Sequence, residues 1–164
     1  MNFLIIAITA LVPLLIGFIW YHPKVLGKAW AAEAGLSDEQ LKNSGPVKIY
    51  FASLFLSLLL ALTTPYLVIH QAHVSSIFQG TEGANDPNTE IGAYLKNFMD
   101  LYGKNFRTFK HGALHGFISA LFFAMPVLGI GALFERKSWK YILIHTGYWA
   151  ITLMLMGGII CQWS

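Results

Sequence analysis

The sequence predicts an all-α integral membrane protein, a four-helix bundle with an amphipathic helix in one long outer connection. Three observations carry that prediction. Of 164 residues, 55% are hydrophobic and only 12% charged, about half the roughly 25% of a soluble domain. The windows 1–23, 49–81, 111–134 and 141–164 contain no Asp, Glu, Lys or Arg. Apolar runs such as 54–60 do not alternate with polar residues. Lipid admits only helices and closed barrels, so the lack of alternation selects helices.

A bilayer core about 30 Å thick takes roughly 20 apolar residues at 1.5 Å each. The predicted spans are therefore 2–21, 47–69, 113–134 and 140–163, with an outer loop over 70–112, all in one domain. The first window has no basic n-region and outruns a signal peptide's apolar stretch, so it reads as a retained span. Pro13 and Pro126 fall inside spans and should kink them. Superposing these two prolines also pairs Leu15 with Leu128 and Lys24 with Lys137, a faint sign of a duplicated two-helix unit.

Orientation follows from the basic residues. Lys24, Lys28, Lys42, Lys48, Arg136, Lys137 and Lys140 lie in the two short connections, whereas Lys96, Lys104, Arg107 and Lys110 lie in the long one. The short connections are then cytoplasmic, and both termini face outward. The net charge of +3 reflects this topology and not a nucleic-acid surface. Trp20, Tyr21, Trp139, Tyr141 and Trp163 occupy aromatic-belt positions at the span ends.

In the first connection Gly35 can end a helix containing Trp30, and Ser37-Asp38-Glu39-Gln40 has capping-box spacing. A break follows at Asn43-Ser44-Gly45-Pro46, and Trp30 and Leu36 should hold the segment along the membrane surface. In the long connection a polar stretch, 79–89, contains the Asp86-Pro87 turn. Ile91, Leu95, Phe98, Tyr102, Phe106 and Phe109 then recur every three or four residues, with Lys96, Asp100, Lys104 and Arg107 between them. This pattern predicts an amphipathic helix lying in the outer interface, or else a lid over the bundle.

Helices associate in lipid through small residues that admit close approach. The third span offers Gly112, Gly116, Ala120 and Ala124 at four-residue steps, and the second offers Ser53, Ser57 and Ala61. The two stripes are expected to face each other or a second copy of the chain.

Imidazole is the commonest neutral metal ligand, and residues four apart on a helix share a face. His70, His73, His111 and His115 flank the long connection and form a candidate metal set; the alternative is that they merely tolerate the polar boundary. His145, Tyr148, Trp149 and Thr152 share one face of the fourth span and are candidate cavity residues. No span contains a charged residue for an ion pathway, and no phosphate loop, H-E-x-x-H or G-x-S-x-G occurs.

At the end of the first span the chain reads Gly17-Phe18-Ile19-Trp20-Tyr21-His22-Pro23, followed by Leu26-Gly27-Lys28-Ala29-Trp30 and Gly35-Leu36-Ser37. This resembles the signature of the bacterial membrane family known as domain of unknown function (DUF) 1761, G-x-x-W-Y-s-P-x-x-f-G-k-x-W. The later stretch 132–139, with Gly147-Tyr148 and Met156-Gly157-Gly158, is similar to that family's second half. His22 stands where the family commonly has a small polar residue, and the outer loop is longer than the family's. The resemblance implies a four-helix membrane protein and brings no activity with it. Read physically, Trp20, Tyr21, Pro23, Gly27, Lys28 and Trp30 are an interface motif: Pro23 stops the helix, Gly27 permits a tight turn, and Lys28 and Trp30 anchor at headgroup level.

The expected function is a non-catalytic, cofactor-free four-span inner-membrane protein, homo-oligomeric or an accessory subunit, with membrane lipid as its surroundings. The alternatives are a small-molecule or lipid-binding transporter or channel and a histidine-rich metal-binding protein.

Overall fold

The computed structural model describes residues 2–43 and 45–164, so Ser44, in the expected break before the second span, lies outside the described residues. In chain order the helices are α1 (Phe3–Thr9), α2 (Val12–Trp20), α3 (Gly27–Ala34), α4 (Asp38–Lys42), α5 (Pro46–Val68), α6 (His70–Ile77), α7 (Glu90–Tyr102), α8 (Phe109–Ser119), α9 (Met125–Phe134) and α10 (Trp139–Trp163). There is no strand among the described residues. Four stretches are long and apolar enough to cross a membrane: Phe3–Trp20, Pro46–Val68, Phe109–Phe134 and Trp139–Trp163.

Three of these begin within one residue of the expected bounds. The third starts at Phe109 instead of 113, because Thr108 caps α8 by accepting from the His111 backbone N–H. The helix thus begins at its cap and not where its apolar run begins, which makes His111 and Gly112 helical.

Both predicted proline sites disturb their helices one turn upstream. Pro13 sits in the first turn of α2, and the chain breaks between Thr9 and Val12. Pro126 opens α9 after a π-helical stretch, Ala120–Ala124. Proline cannot donate to the preceding turn and crowds it, and a widened π turn relieves that crowding. The sequence reading passed over Pro65, which is buried inside α5 three residues before that helix ends at Val68. Ile69 is extended, and α6 begins anew at His70.

Helix α10 is the hub, packing on α8 and also on α1, α2, α5 and α9. A Cβ added to Gly112 would lie 2.1 Å from the Gly157 carbonyl oxygen, and one on Gly116 would lie 2.0 Å from that of Leu153. The Gly112–Gly116 edge therefore faces α10, which is packing within the bundle as one of the expected arrangements had it, but against the fourth apolar helix and not the second-span stripe. The reason lies in Gly157: two backbones come closest where both partners lack side chains. The stripes do share a core at one level, where Ala61 and Ala120 are buried with Ile6, Ala10, Leu153 and Met156. Phe51, Phe55, Phe122 and Phe123 point outward, as suits an apolar solvent.

The two short connections meet at one end of the helices. Lys137 Nζ donates to the Ala34 carbonyl (2.7 Å), Lys140 Nζ pairs with Glu33 (3.1 Å), and Ser138 donates to the same carboxylate. Gly35 ends α3 in the left-handed conformation (φ 75°), and Ser37 and Gln40 form the expected capping box. The long connection packs at the other end, where Arg107 Nε donates to the Cys161 carbonyl (2.7 Å) and Gln162 Oε1 accepts from the Phe109 N–H (2.9 Å).

The amphipathic helix is present as α7 but stops at Tyr102, shorter than its periodicity through Phe109. Gln71 Nε2 reaches the carbonyls of Tyr102 and Asn105 (2.9 and 2.8 Å), satisfying acceptors that a longer helix would have used itself. Phe106 takes a left-handed conformation (φ 62°) beyond the helix, and Phe109 belongs to α8.

Candidate functional site

Two constellations stand out, one at each end. At the end of the short connections, a cleft of about 710 Å³ opens between the first, second and fourth apolar helices. Pro13, Gly17 and Tyr21 form one wall, Ser53, Leu56 and Leu60 the second, and Tyr148 and Trp149 the third. Pro23, Trp30 and Tyr50 rim its outer end.

Trp20 and Tyr21 do more than sit in a belt. Trp20 Nε1 donates to the Ile144 carbonyl (3.0 Å), and the Tyr21 hydroxyl shares a 2.9 Å hydrogen bond with His145 Nδ1. The Tyr21 ring also packs on Trp30 and Tyr148, with centroids 5.2 and 5.3 Å away. Burial, and then its neighbours Tyr148 and Tyr141, push the Tyr21 phenol well above the ordinary tyrosine value, so it stays neutral. Tyr148 in turn donates to the Pro13 carbonyl (2.9 Å). Gly147 makes the contact possible, since a Cβ there would lie 2.8 Å from the Trp20 ring.

The rest of the motif folds back on this pair. A Cβ on Gly27 would lie 2.2 Å from the Tyr21 carbonyl oxygen, and the Gly27 N–H donates to the His22 carbonyl (3.0 Å). The turn through Pro23 is thus too tight for any side chain at Gly27, while Lys28 stays exposed. Of the four expected cavity residues, Tyr148 and Trp149 line the cleft. His145 does not, because Tyr21 lies over it; it borders a smaller pocket of about 240 Å³ with Tyr141 and Glu135. Thr152 does not line the cleft either; it is fully buried, with its hydroxyl unpartnered among the described residues.

At the opposite end, His70 from the first turn of α6 meets His111 and His115, one turn apart on α8. The His70 and His111 Nε2 atoms are 2.9 Å apart, and the three rings stand 4.5–5.1 Å from one another. One ring nitrogen from each residue lies within 4.8 Å of the other two. His73 is exposed and outside this group, so three of the four expected histidines converge.

The family described as protein of unknown function (DUF1761) matches residues 4–161. The chain belongs to this family. In this DUF1761 member the match runs through both constellations and all four apolar stretches. No curated protein and no solved structure matches the chain significantly.

Sequence reasoning missed the Trp20 and Tyr21 cross-ties and the role of Gly157. The signal was there in the glycines of the fourth span, Gly147, Gly157 and Gly158, each of which faces an aromatic ring or a backbone.

Proposed function

We propose that this chain is a non-catalytic, four-pass bundle of the bacterial inner membrane that holds a membrane lipid in the cleft between its first, second and fourth spans. The observation that carries the reading is the cleft itself. Its volume of about 710 Å³ is in the usual range of ligand sites, and its walls run from apolar Pro13, Leu56 and Leu60 to a rim of Tyr21, Trp30 and Tyr50. That order, apolar within and aromatic-polar at the rim, matches a lipid entering sideways with its headgroup at the interface. The basic residues of the short connections favour placing the rim in the cytoplasmic leaflet, with both termini outside. No cofactor or nucleic acid takes part in this reading. The residues that line the cleft all come from one copy of the chain.

The test is native mass spectrometry of protein extracted gently from its own membrane, beside the cleft-filling variants Ser53→Trp and Gly17→Phe. A lipid mass that accompanies the wild type and leaves both variants, with thermal stability retained, supports the reading. The same lipid mass on all three proteins defeats it. The spectrum also reports copy number and any foreign subunit.

A further inference from the structure

We propose that His70, His111 and His115 form a binding site for one first-row divalent cation, of which zinc is the representative. Three imidazoles converge without a carboxylate in the group, and each offers one ring nitrogen within 4.8 Å of the others. Tetrahedral zinc with bonds of about 2.0–2.1 Å places its ligand nitrogens roughly 3.3 Å apart. The His70 and His111 Nε2 atoms stand at 2.9 Å, close to that spacing and sharing one proton, which a bound cation would displace. All-imidazole donors select zinc, copper, nickel or cobalt over magnesium and calcium, which take oxygen. Three protein ligands leave a fourth position open to water or an exogenous anion.

A second observation is independent of the histidines. Phe106 holds a left-handed conformation (φ 62°), costly for a bulky side chain, and its ring packs at 5.9 Å from His70 and 5.1 Å from His111. Its carbonyl accepts from the Thr108 N–H (2.8 Å) and the Cys161 thiol (3.4 Å), and the adjacent Arg107 is fixed to the end of α10. The fold thus holds a strained residue in place, and the result is an apolar wall beside two of the three ligands. A cation bound there would fasten the start of α6 to α8, joining the outer ends of the second and third spans.

The experiment uses the full chain in mild detergent, purified without a histidine tag, stripped with chelator and titrated with zinc alone. The wild type should bind one zinc per chain and gain several degrees in Tm. His70→Gln and His111→Gln should each weaken binding at least tenfold and abolish the Tm gain, while His73→Gln should match the wild type. Unchanged Tm values of the metal-free variants show that the loss is not misfolding; His115→Gln serves in place of any variant that fails this control. No stoichiometric zinc on the wild type, or equal loss in His73→Gln, overturns the site.

Discussion

The two ends of the molecule treat histidine in opposite ways. At the end of the short connections His145 is given a partner by the chain itself, the neutral phenol of Tyr21, and that pair is covered by Trp30 and Tyr148. At the other end the rings of His70, His111 and His115 meet one another beside the apolar ring of Phe106. The first arrangement ties helices together through one ring nitrogen, and the second brings three ring nitrogens toward a shared space. The same side chain is therefore a structural tie in one place and a member of the proposed ligand set in the other, and the difference lies in what each neighbouring helix supplies.

The contrast can be tested first through the glycines beside each site. Gly112→Ala pushes a methyl into the Gly157 carbonyl, a backbone group that cannot turn aside, and should lower stability by roughly 3 kcal/mol or more. Gly147→Ala meets the Trp20 ring and should cost less, roughly 1–3 kcal/mol. Thermal unfolding in one detergent ranks the two, and equal losses would mean that Trp20 is as immovable as backbone.

Tyr21→Phe leaves His145 Nδ1 unpaired and should cost about 1–2 kcal/mol, with no effect on zinc binding at the other end. Because the Tyr21 pKa is raised in the fold, its contribution is complete below the ordinary tyrosine value and fades as pH rises above it. An alkaline loss of stability that persists unchanged in Tyr21→Phe would show that another group causes it.

The smallest effect is expected at Glu33. The Ser138 hydroxyl, and then Lys140, hold this carboxyl below the ordinary carboxylate range. Its contribution is therefore complete above that range and fades as pH falls through the lowered value. Glu33→Gln should flatten a slight acid-side decline in Tm, and a decline of the same size in the variant would rule the joint out as its cause.

Much of the fold was legible because charge is expensive in lipid, so its absence from 49–81 or 141–164 marks a helix without further information. What stayed hidden depended on contacts between helices. The start of the third span is set by Thr108, a cap that hydropathy does not register. Helical spacing placed His145 and Thr152 with Tyr148 and Trp149 on one face but gave no sign that Tyr21 covers the histidine or that Thr152 is fully buried away from the cleft lining. The histidine cluster was legible only as far as spacing goes. The four-residue step brought His111 and His115 together, whereas separating His70 from His73 required knowing which side of α6 meets α8 after the extended Ile69.

The π-helical stretch at Ala120–Ala124 has a practical consequence for anyone scanning the third span with cysteine or tryptophan. One extra residue in a turn advances the helical phase by about 100°. A labelling pattern fitted to residues before 120 will therefore be out of step after 124. A single wheel drawn through the whole span would misplace the positions from Met125 to Phe134 by about a quarter turn.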